Sequence, residues 1–169
     1  MHELFREIAP IYMQKLMDDF DMSVLDAAAV FGNLGHESNG FEDMQEISPR
    51  AGRGGYGWAQ WTGPRRVAFE QYAKRNGLKL SDPGTNYSWL FVELRGPEKN
   101  AVKKVKAARS LDTKVVAFEK AFERAGVKHY ESRKKWARIA LSTYGDKPKP
   151  KPGWFAILIR RILSWFGRS

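Results

Sequence analysis

Between residues 38 and 63 the chain departs from every pattern that would let it continue as a helix. Gly40, Gly52, Gly54, Gly55 and Gly57, together with Pro49, fall in a stretch that also carries Tyr56, Trp58 and Trp61. An internal glycine costs a helix about 1 kcal/mol against alanine and a proline about 3 kcal/mol. The segment therefore reads as an ordered loop or a short extended hairpin. Whatever the rest of the chain forms must accommodate one irregular, aromatic-rich insertion.

The flanking sequence is helical in pattern. Leu4, Phe5, Ile8, Ile11, Leu16 and Phe20 recur at helical spacing and predict an opening helix. Ser23, with Asp26 three residues on, reads as an N-cap with a capping-box variant that starts a second helix over 24–37. That helix is rich in alanine, and its Gly32 and Gly35 suit a place where a neighbouring chain comes close. Further helices are expected at about 64–76, 85–94, 97–109, 113–125 and 132–144. Pro64 and Pro97 suit first-turn positions, and Gly126 and Gly145 suit helix ends. Phe118, Phe122, Trp136, Ile139 and Tyr144 recur at helical spacing and are expected in the core. With 43% apolar residues and no internal repeat, residues 1–145 are expected to form one all-α domain with a small irregular, β-like segment.

A second break follows. Residues 146–153, DKPKPKPG, form neither helix nor sheet interior and predict a stiff polyproline-like spacer. Beyond it, residues 154–169 read WFAILIRRILSWFGRS. At about 100° per residue, Arg160, Arg161, Ser164 and Arg168 share one arc, and apolar side chains fill most of the remainder. A membrane span needs about 20 apolar residues, which this tail lacks. It is expected to lie in a membrane interface instead. Trp154, Phe155, Trp165 and Phe166 would sit at headgroup level, with Arg160, Arg161 and Arg168 on anionic lipid. A last helix packed onto the domain is the alternative.

Charge narrows the partners. Residues 1–98 carry 10 basic and 14 acidic side chains, residues 99–138 carry 13 and 4, and residues 139–169 carry 6 and 1. A basic rear half suggests a polyanionic environment: nucleic acid, anionic lipid or the bacterial envelope. No nucleic-acid-binding motif is present, and nucleic acid is not expected as a partner. The chain has no cysteine, and His2, His36 and His129 lack metal-binding spacing. Neither a metal nor another cofactor is expected.

Chemistry is most plausible around residues 31–66. Glu37 ends the second helix, is backed by apolar residues and is followed at once by the glycine-rich stretch. Partial burial raises a carboxyl pKa, which suits a general acid. The competing view is an exposed helix-terminal residue, in a position the helix dipole does not favour. Tyr56, Trp58 and Trp61 suit either stacking on a ligand or core packing. Arg65 and Arg66 open a helix, where the dipole disfavours cations; they either grip an acidic group or form a solvated pair.

This stretch resembles the phage tail lysozyme and endolysin families, in which GN-x-x-x-ES-x-x-F precedes G-[YF]-G-x-x-QW-x-x-x-R. Gly32, Asn33, Glu37, Ser38 and Phe41 match the first block, and Gly55, Tyr56, Gly57, Gln60, Trp61 and Arg65 match the second. Phe122, Glu123 and Arg124, with Arg133 and Ala137, resemble the late helices of these families. The resemblance covers about residues 23–142. It implies a lysozyme-like fold with Glu37 as catalytic acid, and a sugar cleft with the Tyr56 to Trp61 segment, Trp58 and Gln60 included, as one wall; Thr62 and Arg65 beside it are expected to bind substrate too. Cleavage of the β-1,4 bond between N-acetylmuramic acid and N-acetylglucosamine in peptidoglycan follows from it. Among Glu42, Asp43 and Glu46, the last is the preferred second catalytic carboxylate, because Ile47, Ser48 and Pro49 suit an ordered turn. Gln60 and Thr62 are alternatives for holding a water or an acetamido group. A lytic transglycosylase, needing a single carboxyl, and a membrane-disrupting protein are the rival functions. The opening MHELFREIAP has no basic region followed by an apolar core. A monomeric lysis protein, made in the host cytoplasm without a signal peptide and acting on the wall, is expected.

Overall fold

The computed structural model describes residues 2–49 and 52–146, and within them the expected all-α architecture is observed. The helices are α1 (Glu3–Phe20), α2 (Val24–Glu37), α3 (Gly63–Arg75), α4 (Pro83–Arg95), α5 (Lys99–Ala107), α6 (Leu111–Phe118) and α7 (Tyr130–Gly145). A π-turn, Glu119–Glu123, extends α6. Between α2 and α3 the glycine-rich segment forms a loop held by two isolated antiparallel bridges, Gln45 with Tyr56 and Tyr56 with Trp61.

Helix α2 is the axis of the core. The capping box expected at its start is formed, with the Asp26 amide donating to Ser23 Oγ at 3.2 Å and the Ser23 amide donating to Asp26 Oδ2 at 2.8 Å. From Asp26 to Gly35 every residue is buried, enclosed by α1, α6 and α7. Gly32 shows why a glycine stands there: a Cβ at that position would lie 2.5 Å from Ala137 Cβ on α7. Gly35 likewise leaves room for the Phe5 and Trp136 rings. Asp26 also meets Lys114 of α6 at 2.5 Å, both side chains buried. Burial alone would raise the Asp26 carboxyl, but hydrogen bonds from Lys114 and Ser23 outweigh it and hold it below its ordinary value.

Four boundaries differ from expectation. Helix α4 starts with Pro83 in its first turn rather than at Thr85. Pro97 precedes α5 instead of opening it, because the Gly96 and Glu98 amides still donate to α4 carbonyls and the next helix begins only at Lys99. Gly126 does not stop α6; Arg124 does, turning left-handed at φ 52° with its amide on the Glu119 carbonyl. Gly145 falls inside α7 rather than beyond it.

Residues 147–169 lie outside the described residues, and with them most of the expected spacer and all of Trp154, Phe155, Arg160, Arg161, Trp165, Phe166 and Arg168. Among the described residues no helix is long and apolar enough to cross a membrane.

Candidate active site

The GN-x-x-x-ES block has a structural logic. Asn33 and Glu37 are four residues apart and share one face of α2, and that face looks onto Arg133 of α7. Arg133 is 1% exposed and donates to Asn33 Oδ1 at 3.1 Å, to the Lys128 carbonyl at 2.9 Å and to Glu37 Oε1 at 2.5 Å. Asn33 is itself fixed, its amide nitrogen donating to the Ala29 and Val115 carbonyls. Gly32 lets α7 come close enough for this network to form. Ser38 turns the chain out of the helix, its hydroxyl donating to the Leu34 carbonyl and accepting from the Phe41 amide. The Glu37 side chain is 20% exposed. One edge of this carboxyl therefore faces a buried guanidinium, and the other reaches open space.

That space is a cavity of about 380 Å³ lined by Glu37, Asp43, Gln45, Glu46, Ile47, Gln60 and Thr62. A second cavity of about 610 Å³ shares Glu46 and Thr62 with it and continues past Ser48, Arg53 and Val67. The two cavities adjoin at these shared residues. Glu46 Oε2 accepts from the Gly55 amide at 2.7 Å, which aligns the side chain against the loop. Gln60 donates its amide nitrogen to the carbonyls of Asp43, Met44 and Gly57. It therefore braces the loop from inside while lining the cleft. Thr62 is exposed at the start of α3. Glu42 is exposed and is not among the lining residues.

The remaining expected wall residues are elsewhere. Trp58 and Trp61 are each 1% exposed and present no face to a sugar. Trp58 stacks on Phe41 at 4.6 Å and meets Tyr12 and Phe31, sinking into the α1–α2 core. Trp61 packs on Phe69 at 4.7 Å, in the cluster shared with Trp89. Irregular backbone needs anchors, and these two side chains bury large apolar areas to supply them. Tyr56 is half-buried beneath the Arg66 guanidinium and outside the cleft lining. Arg65 is engaged within the protein rather than left free for an outside acid. It forms a two-pronged pair with Glu93, 2.8 Å on each side, and Glu93 also accepts from Trp61 Nε1 at 2.7 Å. Arg66 ties the loop down through the Arg53 and Gly54 carbonyls. The unfavourable dipole at the start of α3 is offset by these carboxylate and carbonyl partners.

Two titratable residues beside Glu37 carried no chemical signal in the sequence. His36 shares a hydrogen bond of 2.9 Å with Ser132 Oγ. Burial, then the charges of Arg133 and His129, lower its pKa to about 4. Glu123, in the π-turn, is the other. Burial raises its carboxyl well above the ordinary value, the Glu37 charge adds to that, and Arg133 and Arg65 act in the opposite sense. In the sequence it stood only within the Phe122-Glu123-Arg124 triplet, which resembles the late helices of the lysozyme families without marking a chemical role.

A family described as phage tail lysozyme matches residues 7–144. No curated protein and no solved structure matches the chain.

Proposed function

The chain belongs to the phage tail lysozyme family, and on that premise we propose that it hydrolyses the β-1,4 bond between N-acetylmuramic acid and N-acetylglucosamine, with Glu37 as general acid. Family membership supports peptidoglycan-lytic activity; the bond and the residue roles are the finer proposal. One observation carries it: Glu37 opens onto the same cleft as Glu46, Gln60 and Thr62, with a buried guanidinium fixed behind it.

Chemically the arrangement suits bond cleavage. A sugar covering the exposed edge of Glu37 removes water from it, and desolvation disfavours a charged carboxyl. Glu37 then gives its proton to the bridging oxygen as the bond from the anomeric carbon breaks. Arg133 stabilises the carboxylate left behind, a charge that develops only as the proton leaves. Glu46, across the cleft, takes a proton from the water that adds to the anomeric carbon, or balances the positive charge on the ring. Ile47, 80% exposed at the cleft edge, offers apolar surface to a sugar face.

The test is to digest purified peptidoglycan with the full chain and identify the new ends by mass spectrometry. Reducing N-acetylmuramic acid ends are expected. Anhydro-sugar ends would replace hydrolysis by transglycosylation, reducing N-acetylglucosamine ends would move the cut to the other bond, and no soluble product would end the proposal.

Host lysis by a monomer made in the cytoplasm, and binding of the tail to anionic membrane, are proposals from family and composition. Removing residues 146–169 should spare digestion of purified wall and weaken killing of intact Gram-negative cells. Equal killing by the shortened chain would remove the membrane role.

A further inference from the structure

The larger of the two cavities has no task in the proposed bond cleavage. Its volume of about 610 Å³ falls within the range of about 300–1,000 Å³ typical of small-ligand sites. It meets the catalytic cavity at Glu46 and Thr62, and beyond that junction Ser48, Arg53, Arg66 and Val67 line the larger cavity alone. Val67 is exposed there. Thr62 begins α3 without a side-chain bond to that helix, so its hydroxyl is not spent on a cap.

The far end of this cavity is cationic. Arg53 and Arg66 both pair with one carboxylate, Glu70, Arg53 through two contacts of 2.9 Å and Arg66 through one of 3.0 Å. The two guanidiniums differ in freedom. Arg66 is buried over the Tyr56 ring and also donates to the Arg53 and Gly54 carbonyls, which makes it a fixed support. Arg53 is exposed. An exposed ion pair holds weakly, and a guanidinium has donors to spare beyond the two that Glu70 engages. Among the described residues Glu46 is the one acid lining the cavity, and it stands at the junction. An anion therefore finds its place at the Arg53 end.

The direction of the substrate decides what enters. In the proposed reaction Glu46 faces the anomeric carbon of N-acetylmuramic acid. That ring carries a lactyl group from which a short peptide with free carboxylates extends, and N-acetylglucosamine carries none. The branch thus leaves the strand from the ring beside Glu46, where the larger cavity begins. We propose that this cavity binds the peptide stem of N-acetylmuramic acid, with the Arg53 guanidinium on a stem carboxylate and Val67 against an alanyl methyl. Such a guanidinium–carboxylate contact is both strong and directional. The proposal rests on the muramidase reading, which sets the ring beside Glu46. Arg53 reads the branch, a binding role separate from the chemistry at Glu37.

The test uses the full chain, as wild type and Arg53→Gln, on two soluble glycan oligomers that carry stems. In one the stem carboxylates are free, and in the other they are amidated. Arg66 and Gln45 hold the backbone carbonyl of Arg53 rather than its side chain, so the substitution keeps those bonds. Wild type is expected to show a KM about 10-fold lower on the free-acid oligomer, the scale of one hydrogen bond to a charged group. A pure binding contact leaves kcat within about twofold. In Arg53→Gln the difference between the two oligomers should vanish. Equal KM values in wild type would overturn the proposal, as would a preference that survives Arg53→Gln. An equal loss on both oligomers would also overturn it, because the cavity would then hold a sugar or merely brace the loop. The second readout needs no activity: nitrogen-15 NMR with muramyl tetrapeptide, which has no glycosidic bond to cut. The Gly54 and Val67 amides are expected to shift in wild type and stay in place in Arg53→Gln. Unmoved amides in wild type overturn the stem site even if the chain digests the wall. Conversely, shifts in a protein that cuts no glycan would keep the stem site and sink the proposed function.

Discussion

On the helical side of the cleft, Glu37 is held by Arg133, which is held in turn by Asn33 and the Lys128 carbonyl. On the loop side, Glu46 and Gln60 are held by backbone amides and carbonyls, and the loop beneath them is pinned by Trp58 and Trp61 in two aromatic clusters. One side places its functional group with buried charge; the other places its groups with buried apolar area. The difference sets what each can do. Buried ion pairs respond to removal or addition of a charge, so the helical side can move a proton. An apolar anchor is indifferent to charge, so the loop side supplies shape and a fixed alignment.

The largest effect that follows is at Glu37. Glu37→Gln should keep the fold and reduce wall hydrolysis by about 10²- to 10⁴-fold, the share general acid catalysis contributes. Substantial turnover in the folded variant would take the chemistry away from the helical side altogether.

Next comes the anchor of the loop. Trp58→Ala should destabilise the protein by about 3–5 kcal/mol, as for other buried tryptophans, measured by urea unfolding. If stability is unchanged while KM rises, Trp58 is a sugar platform after all and the contrast between the two sides dissolves.

A smaller effect separates the loop carboxyls. Glu46→Gln should cost activity about tenfold or more, within the range for a positioned acid or base, and more than Asp43→Asn, whose residue also lines the cleft. The exposed Glu42 should tolerate Gln. Equal mild losses at all three would leave the loop side without a chemical role and favour the one-carboxyl transglycosylase.

The smallest concerns acid stability on the helical side. His36 titrates near 6.5 when unfolded and at about 4 when folded, so the unfolded chain binds the extra proton between those values. The stability it confers is complete above about pH 6.5 and is lost as pH falls toward 4. The urea midpoint should drop between pH 7 and pH 5 in wild type and drop less in His36→Asn. Equal drops would place the acid sensitivity on other groups.

Local chemistry made much of this legible without a structure. Ser23 and Asp26 specify a helix start through contacts three residues apart. Gly32 and Gly35 announce a close neighbour, and Glu37 stands at the junction of a helix with a glycine-rich loop. Each of these is a short-range property, written in adjacent or helically spaced residues. Partner identity is not. Nothing in the pattern around Trp58 and Trp61 separates a sugar platform from a core anchor, because both need a large apolar ring on irregular backbone; only α1, α2, α3 and α4 closing over them decided it. Arg65 looked free because Glu93, which neutralises it, lies on α4, outside the helix Arg65 opens. Glu123 stood out only as part of the Phe122-Glu123-Arg124 triplet. That its carboxyl is raised depends on α2, α3, α4 and α7 meeting at one point. Periodicity along the chain determined which faces turn inward, since that follows from the helical repeat. Which charges find partners there was decided by tertiary packing, since electrostatic pairing depends on distance in space.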